Sequence, residues 1–351
     1  QLTHRTKLII EEMSIPGVNF LSHPVRNYTS QSVGNIFGYL GEVSPDDIAK
    51  DDYYAGGDYV GKIGLELTYE RELRGEKGFT YKMVDVHGVV RGDYDEGKSN
   101  LQPIQGMALK STIDIVLQDL GVRLMKGKVG AIVAIEPSTG EVLAMVTAPT
   151  FNPDSLVGVD MGATYNKLVA DPRRPLFNRA VMGGYSPGST FKIANALLVL
   201  KDRVASSVER FDCNMGWSVP GRRVKCHAHS SPVDMEFAIQ TSCNAYFCAT
   251  FRRLLRSGIH GGMKSSFNAW SNSIKQFGFG VQLDTDIMGV QRGFIPDASF
   301  YDRMYNGRWN DITVISLSIG QGEITTSPLQ IANFTAIIAN RGHYFMPHLV
   351  R

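Results

Sequence analysis

The feature that most restricts this chain is the run Gly184-Tyr185-Ser186-Pro187-Gly188-Ser189-Thr190-Phe191-Lys192, which leads straight into an apolar stretch over 193–200. Pro and Gly just before such a run mark a loop entering a helix. Ser189 is therefore expected at a helix N-terminus, where unpaired N–H groups and the helix dipole favour developing negative charge. Lys192, three residues on, falls on the same face. A serine hydroxyl is a weak nucleophile at neutral pH, and a lysine amine can take its proton only where burial or nearby charge lowers the lysine pKa. On this tetrapeptide alone, a capping serine and a solvated lysine explain the pattern at least as well.

A second segment changes that balance. Ser242-Cys243-Asn244 stands directly before a helical run over 245–255. At such a junction a hydroxyl and an amide can point into one cleft, the first relaying a proton and the second holding a substrate carbonyl. Asn244 as a plain helix cap is the alternative. Ser266-Phe267-Asn268 matches the same pattern, but it follows Gly261-Gly262 in a polar stretch and is expected to be a surface loop.

A chain of 351 residues exceeds one ordinary core, which favours two domains. The first hundred residues read as an irregular α+β module, with short strands over 79–86 and 88–92 and a helix over 60–74. From about Gln105 the pattern changes. A helix over 114–125 places Val116, Leu117, Leu120 and Leu124 on one face, and a larger core is expected against it. Two apolar runs, 130–135 and 142–146, are joined by Pro137-Ser138-Thr139-Gly140 and predict an antiparallel hairpin, central in a sheet covered on both faces. Helices are expected over 191–200, 245–255 and 327–340, and a strand over 312–319. A central sheet with helices around it is the simplest assembly.

Composition excludes some functions. With 43% hydrophobic and 20% charged residues and a net charge of +2, the chain is neither disordered nor a charge-driven nucleic-acid or membrane-surface binder. No apolar run approaches the roughly 18 residues of a membrane span. All four cysteines lie between Cys213 and Cys248. Cys213, Cys226 and His229 make a partial zinc set, whereas a Cys213–Cys226 disulfide fits as well. Cys248, in an apolar helix, is expected in the core. His227 shares the loop of Cys226 and His229, whereas His4, His23, His87, His260, His343 and His348 show no ligand or catalytic spacing, and Gly320-Gln321-Gly322 lacks the Lys-Ser/Thr of a phosphate loop.

Taken together, these motifs resemble the transpeptidase of a class B penicillin-binding protein, and most of all the rod-elongation subfamily, penicillin-binding protein 2. The resemblance extends through Arg26-Asn27-Tyr28, the run 38–44, Gly61-Lys62-Ile63-Gly64-Leu65-Glu66 and Leu73-Arg74-Gly75. It continues through Thr112-Ile113-Asp114, the hairpin, Asn178-Arg179-Ala180, and Gly320-Gln321-Gly322 with Thr326, Pro328 and Gln330.

The resemblance implies a multidomain mixed α/β fold. A non-catalytic, dimerisation-like pedestal would occupy 1–105, and a transpeptidase domain of the serine β-lactamase-like type 106–351. It implies peptidoglycan D,D-transpeptidation through Ser189, with Lys192 as its base, Ser242 as relay and Asn244 as clamp on the peptide carbonyl. Gly320, Gln321 and Gly322 would shape the substrate-binding floor. No cofactor is required, although related rod-type proteins can carry a metal near the cysteine loop. Implied partners are peptidoglycan stem peptides, β-lactam antibiotics, a membrane glycan polymerase and a rod-complex scaffold protein, the last two through the pedestal around Glu66 to Arg74. Alternatives are a non-catalytic activator of that polymerase and a D,D-carboxypeptidase or β-lactamase on the same scaffold. The family's third motif, Lys-Thr-Gly on a strand, is absent after Gln330, and is expected beyond Arg351. Arg256-Ser257-Gly258 is expected to be a helix stop. The chain would be the periplasmic part of an inner-membrane protein anchored by one N-terminal helix.

Overall fold

The computed structural model describes residues 4–13, 15, 18, 20, 26–158 and 160–351; His23 lies outside them. Four antiparallel strand pairs appear among the described residues: β1 (Leu40–Glu42) with β2 (Tyr59–Gly61), β3 (Lys82–Val84) with β4 (Val90–Asp93), β5 (Gly130–Ile135) with β6 (Val142–Ala148), and β7 (Gly216–Val219) with β8 (Arg222–Lys225).

In the N-terminal module the expected helix over 60–74 is three elements. Val60 belongs to β2, and helices Gly64–Thr68 and Glu70–Arg74 are separated at Tyr69. Gly64 at φ +64° and Tyr69 at φ −111°, ψ 27° depart from right-handed helix geometry, so one helix cannot run from 60 to 74. Glu66 is buried and accepts from Arg26 Nη2 at 2.8 Å and Tyr28 Oη at 3.0 Å. Ile36 and Leu65 join a core cluster with Met145, Val181 and Leu349 of the later part of the chain. Asn35 adds polar seams, donating to the Pro175 carbonyl at 3.0 Å and accepting from Thr150 Oγ1 at 2.7 Å.

The antiparallel hairpin β5–β6 forms as expected, with a register shift between Ala134 and Ile135, but its strands are unequal. β6 is buried along nearly its whole length, whereas β5 is only half-buried throughout. Helix Ile115–Leu124 packs on β6 the opposite way from the expectation. Its buried residues are Gln118 and Gly121, while Val116, Leu117, Leu120 and Leu124 face outward. Two contacts fix that orientation. Gln118 accepts from Met145 N at 2.9 Å and donates to the Ser32 carbonyl at 2.9 Å, and Gly121 packs on Val146 where a methyl would already crowd it.

The main core lies between the helices Lys192–Lys201, Asn244–Arg256, Met263–Gln276 and Pro328–Ala339. The expected strand over 312–319 is instead a 3-10 helix, Ile315–Ile319, closed by Gly320 at φ +67°. A short apolar run serves either a strand or a buried turn, and no neighbouring edge pairs with it. Ser266-Phe267-Asn268 is also not a loop. It lies in helix Met263–Gln276, with Ser266 and Phe267 buried and Phe267 stacked on Trp270. Helix Asn244–Arg256 does stop at Ser257-Gly258, with Gly258 at φ +74°.

Candidate active site

Pro187-Gly188 leads into a 3-10 turn, Gly188–Phe191, which continues as helix Lys192–Lys201. Phe191 anchors that turn in the core against Trp270 and Phe279. One turn later, Asn195 accepts from Trp270 Nε1 at 2.8 Å and donates to the Ser318 carbonyl at 2.9 Å. Gly188 N donates to the Gly320 carbonyl at 2.9 Å, and a Cβ on Gly320 would collide with the Gly188 carbonyl oxygen. Ser189 is thereby exposed at the turn while Lys192, 2% exposed, points inward.

Ser242 joins the two. Its Oγ lies 2.8 Å from Ser189 Oγ and 2.9 Å from Lys192 Nζ. Lys192 Nζ also donates to the Ser242 carbonyl at 2.7 Å and to Asn244 Oδ1 at 2.6 Å. Ser242 adopts φ +53°, a left-handed conformation that costs a non-glycine residue of order 1 kcal/mol. That backbone turns its hydroxyl and carbonyl together onto the lysine. Burial pushes the Lys192 pKa below the usual lysine range, opposed by the thiols of Cys226, Cys243 and Cys248. In its neutral form this amine, with two donors satisfied by carbonyl oxygens, would keep its lone pair for the Ser242 hydroxyl.

Asn244 opens helix Asn244–Arg256, and its Nδ2 donates to the Lys225 carbonyl of β8 at 2.8 Å. One N–H of that amide is left over for a ligand. The Gly320-Gln321-Gly322 turn stands beside the serine. Gly320 supports Gly188, Gln321 is exposed with its N–H on the Ser316 carbonyl at 3.1 Å, and Gly322 lines a neighbouring cavity.

Next to this centre, the donor atoms of Cys213, Cys226, His229 and Cys243 all lie within 4.8 Å of one another. All four cysteines are free, so the Cys213–Cys226 disulfide is not formed. His229 Nδ1 faces the Ser230 carbonyl at 2.8 Å, which can only accept, so Nε2 presents its lone pair toward Cys226 Sγ at 3.4 Å. Burial raises the Cys226 thiol, but His229 and the N–H groups of Asn244 and Ala245 outweigh it and bring it to about 7. Burial pushes Cys243 up to about 12. Three thiols and one oriented imidazole fit a tetrahedral N/S metal site.

Cys243 is the member that spacing did not single out. It sits between the two motif residues and caps the helix through Tyr246 N at 3.4 Å, and only the fold brings it to the Cys213–His229 loop. Its placement within a cysteine-rich segment was the available signal.

Residues 130–351 match the penicillin-binding protein transpeptidase domain, and residues 1–111 the penicillin-binding protein dimerisation domain. The chain belongs to the penicillin-binding protein transpeptidase family. Among curated proteins, it is 33% identical over 357 residues to the peptidoglycan D,D-transpeptidase MrdA of Acinetobacter baumannii, covering 99% of this chain and 51% of that protein. It is 27% identical over 357 residues to MrdA of Escherichia coli K12, covering 98% of this chain and 54% of that protein. The chain thus spans about half the length of these relatives. Among solved structures, Pseudomonas aeruginosa PBP2 in complex with WCK 5153 aligns with TM-score 0.74 and 30% identity over 94% of this chain and 68% of that one. The Helicobacter pylori PBP2–MreC complex shares the fold, with TM-score 0.85 and 23% identity over 99% of this chain and 63% of that one.

Proposed function

We propose that the protein is a peptidoglycan D,D-transpeptidase of cell-wall elongation that works through a Ser189 acyl-enzyme. The observation that carries this is the unbroken relay from Ser189 Oγ through Ser242 Oγ, at 2.8 Å, to the buried Lys192 Nζ, at 2.9 Å. Hydroxyls donate or accept as needed, so Ser189 passes its proton to Ser242 as Ser242 passes its own to neutral Lys192. The Ser189 oxygen then attacks the penultimate D-alanine carbonyl of a stem peptide. The tetrahedral intermediate collapses to the ester, and the proton on lysine returns to the departing D-alanine amine. An amine from a second stem attacks the ester in the reverse sequence, forming the cross-link and restoring Ser189. The spare N–H of Asn244 is placed to hold a peptide carbonyl.

This chemistry calls for no cofactor. Cys213, Cys226, His229 and Cys243 would hold a structural zinc, which when bound would cross-link the segments on either side of the β7–β8 pair to the start of helix Asn244–Arg256. In this reading residues 1–105 form the pedestal and 106–351 the transpeptidase part, and the protein works in the periplasm as part of an inner-membrane protein. No helix among the described residues is long and apolar enough to cross a membrane. β-Lactams are inhibitors in this reading. A scaffold partner is supported by the MreC complex, and a membrane glycan polymerase by a TM-score of 0.80, at 26% identity, to a peptidoglycan synthase complex of polymerisation and crosslinking. Glu66 is unsuited to probe either contact, because its carboxylate is buried on Arg26 and Tyr28.

The test supplies full-length protein with a peptide ending in D-Ala-D-Ala and an amine acceptor. D-Alanine release together with a cross-linked product, both lost in Ser189→Ala, is expected. Release with no cross-link at saturating acceptor would make it a carboxypeptidase instead.

A further inference from the structure

The three clustered thiols beside the catalytic centre differ in access. Cys226 is half-buried, whereas Cys213 and Cys243 are only 6% and 0% exposed. A thiol reagent arriving from solvent therefore meets Cys226 first. Behind it, Cys213 is the sulfur that interacts with both of the others.

The backbone favours Cys213 as the partner of Cys226. Both stand just outside the β7–β8 hairpin at its open end, where Gly216 faces Lys225. Neither lies inside a strand, so their side chains can turn without breaking the ladder. Cys226 N donates to the Met215 carbonyl at 3.1 Å, which keeps the two segments side by side. Their sulfurs, already within 4.8 Å, must close to about 2.05 Å for a disulfide, which asks for side-chain rotation and no refolding.

The same movement reaches the catalytic centre. Asn244 N donates to Cys226 Sγ at 3.1 Å and Asn244 Nδ2 to the Lys225 carbonyl at 2.8 Å, so two consecutive residues hold this side of Asn244. Asn244 Oδ1 in turn accepts from Lys192 Nζ at 2.6 Å. Drawing Cys226 toward Cys213 removes the first contact and pulls on the second. It also leaves only His229 and Cys243 as metal donors, since neither sulfur of a disulfide is a thiolate.

We propose that the cluster is a redox switch: in metal-free protein a disulfide oxidant converts Cys213 and Cys226 to a disulfide, which bars metal and loosens Asn244. The proposal rests on the zinc and acyl-transferase readings above, and the periplasm of that reading is a compartment where such oxidants persist. In the first exchange the Cys226 sulfur loses its proton, attacks one sulfur of the oxidant and releases one thiol. The Cys213 sulfur then attacks the Cys226 sulfur and releases the second. The protein gives up two electrons and two protons, and the oxidant is reduced to two thiols. A sulfur committed to metal is a poorer nucleophile, so the loaded site resists the first attack.

The test incubates full-length protein with oxidised glutathione, once after zinc removal by a chelator and once after reloading with zinc. Each sample is then denatured and alkylated, and its cysteines are mapped without reduction. In the metal-free sample Cys213 and Cys226 should be linked and Cys243 and Cys248 alkylated, whereas zinc-loaded protein should carry four alkylated cysteines at these positions. The linked form should take up no zinc, and its β-lactam acylation should run about tenfold slower than that of the metal-free reduced protein, both reversed by dithiothreitol. Cys213→Ser should leave a glutathione adduct on Cys226. Four alkylated cysteines in the oxidised metal-free sample, a glutathione adduct retained on Cys226 of the unchanged protein, equal oxidation with and without zinc, or undiminished acylation of the linked form would each overturn the switch. Reduced protein that takes up no zinc, or is not acylated, marks a failure of the underlying readings instead, and the thiol map of the metal-free protein is independent of both.

Discussion

The backbone N–H of Asn244 donates to Cys226 Sγ at 3.1 Å. The thiol cluster and the second catalytic motif are thus one unit, because Cys243 contributes its sulfur to the cluster while its neighbours Ser242 and Asn244 hold Lys192. Disturbing the cluster should therefore reach the catalytic centre through these neighbours.

The first expectation concerns metal. Elemental analysis of purified protein should find about one zinc per chain, lost in Cys226→Ser. Removing it with a chelator should lower the thermal midpoint by several degrees, because a ligand bound only to the folded state stabilises that state. β-Lactam acylation should slow at the same time. Full metal content in the variant would remove Cys226 from the site.

Ser242→Ala and Ser242→Gly separate hydroxyl from backbone. Glycine suits φ +53° better than serine does, yet both variants lack the relay. Both should lose about 10²- to 10⁴-fold in acylation rate, measured by stopped-flow with a chromogenic β-lactam. Near-native rates in the glycine variant would show that the hydroxyl is dispensable.

The acylation rate should rise with pH, since the attacking serine's proton is passed through Ser242 to neutral Lys192. Burial lowers that pKa from 10.5, so the acid limb should lie below the ordinary lysine range. A rate profile with its limb at the ordinary lysine value would contradict a desolvated base.

Gly320→Ala should cripple the site from behind. Its φ of +67° and the Gly188 carbonyl leave no room for a methyl, so the Ser189 turn must shift. Acylation should fall at least about tenfold with the fold retained by circular dichroism, given that small misplacement of a nucleophile carries large kinetic cost.

Away from the site, buried Asp311 accepts from Arg252 Nε at 2.6 Å and Arg256 Nη2 at 2.9 Å. Burial raises its pKa, but the two arginines outweigh that and hold it below 3.8. The unfolded chain therefore takes up this proton first as pH falls. Asp311 stabilises the fold fully above about pH 4 and loses that contribution as pH drops through its folded value. Asp311→Asn should cost about 1–3 kcal/mol in urea unfolding at pH 7 and much less near pH 2.

What was legible in the chain was mostly local. Ser189 and Lys192 are three residues apart and the Pro-Gly before them marks their turn, although Phe191 and Gly320 hold that turn in place from elsewhere in the chain. Asn244 and Ser242 were legible as a motif, although their distances to Lys192 depend on packing. Helix Ile115–Leu124 shows the limit of periodicity: Gln118 and Gly121 face inward because one finds backbone partners in β6 and the other lets Val146 approach, and hydrophobicity registers neither effect. Residues 312–319 were misread because a short apolar run does not reveal whether a strand edge is available. Cys243 was read only as a motif residue, since its three fellow donors come from a loop that folds back beside it.

The central claim is that Ser189 forms the acyl-enzyme. Intact-mass spectrometry of the full-length protein with a β-lactam, followed by peptide mapping, tests it directly. One drug-mass adduct per chain, mapped to Ser189 and absent in Ser189→Ala, is the predicted result; an adduct that persists in that variant, or maps to another residue, would contradict it.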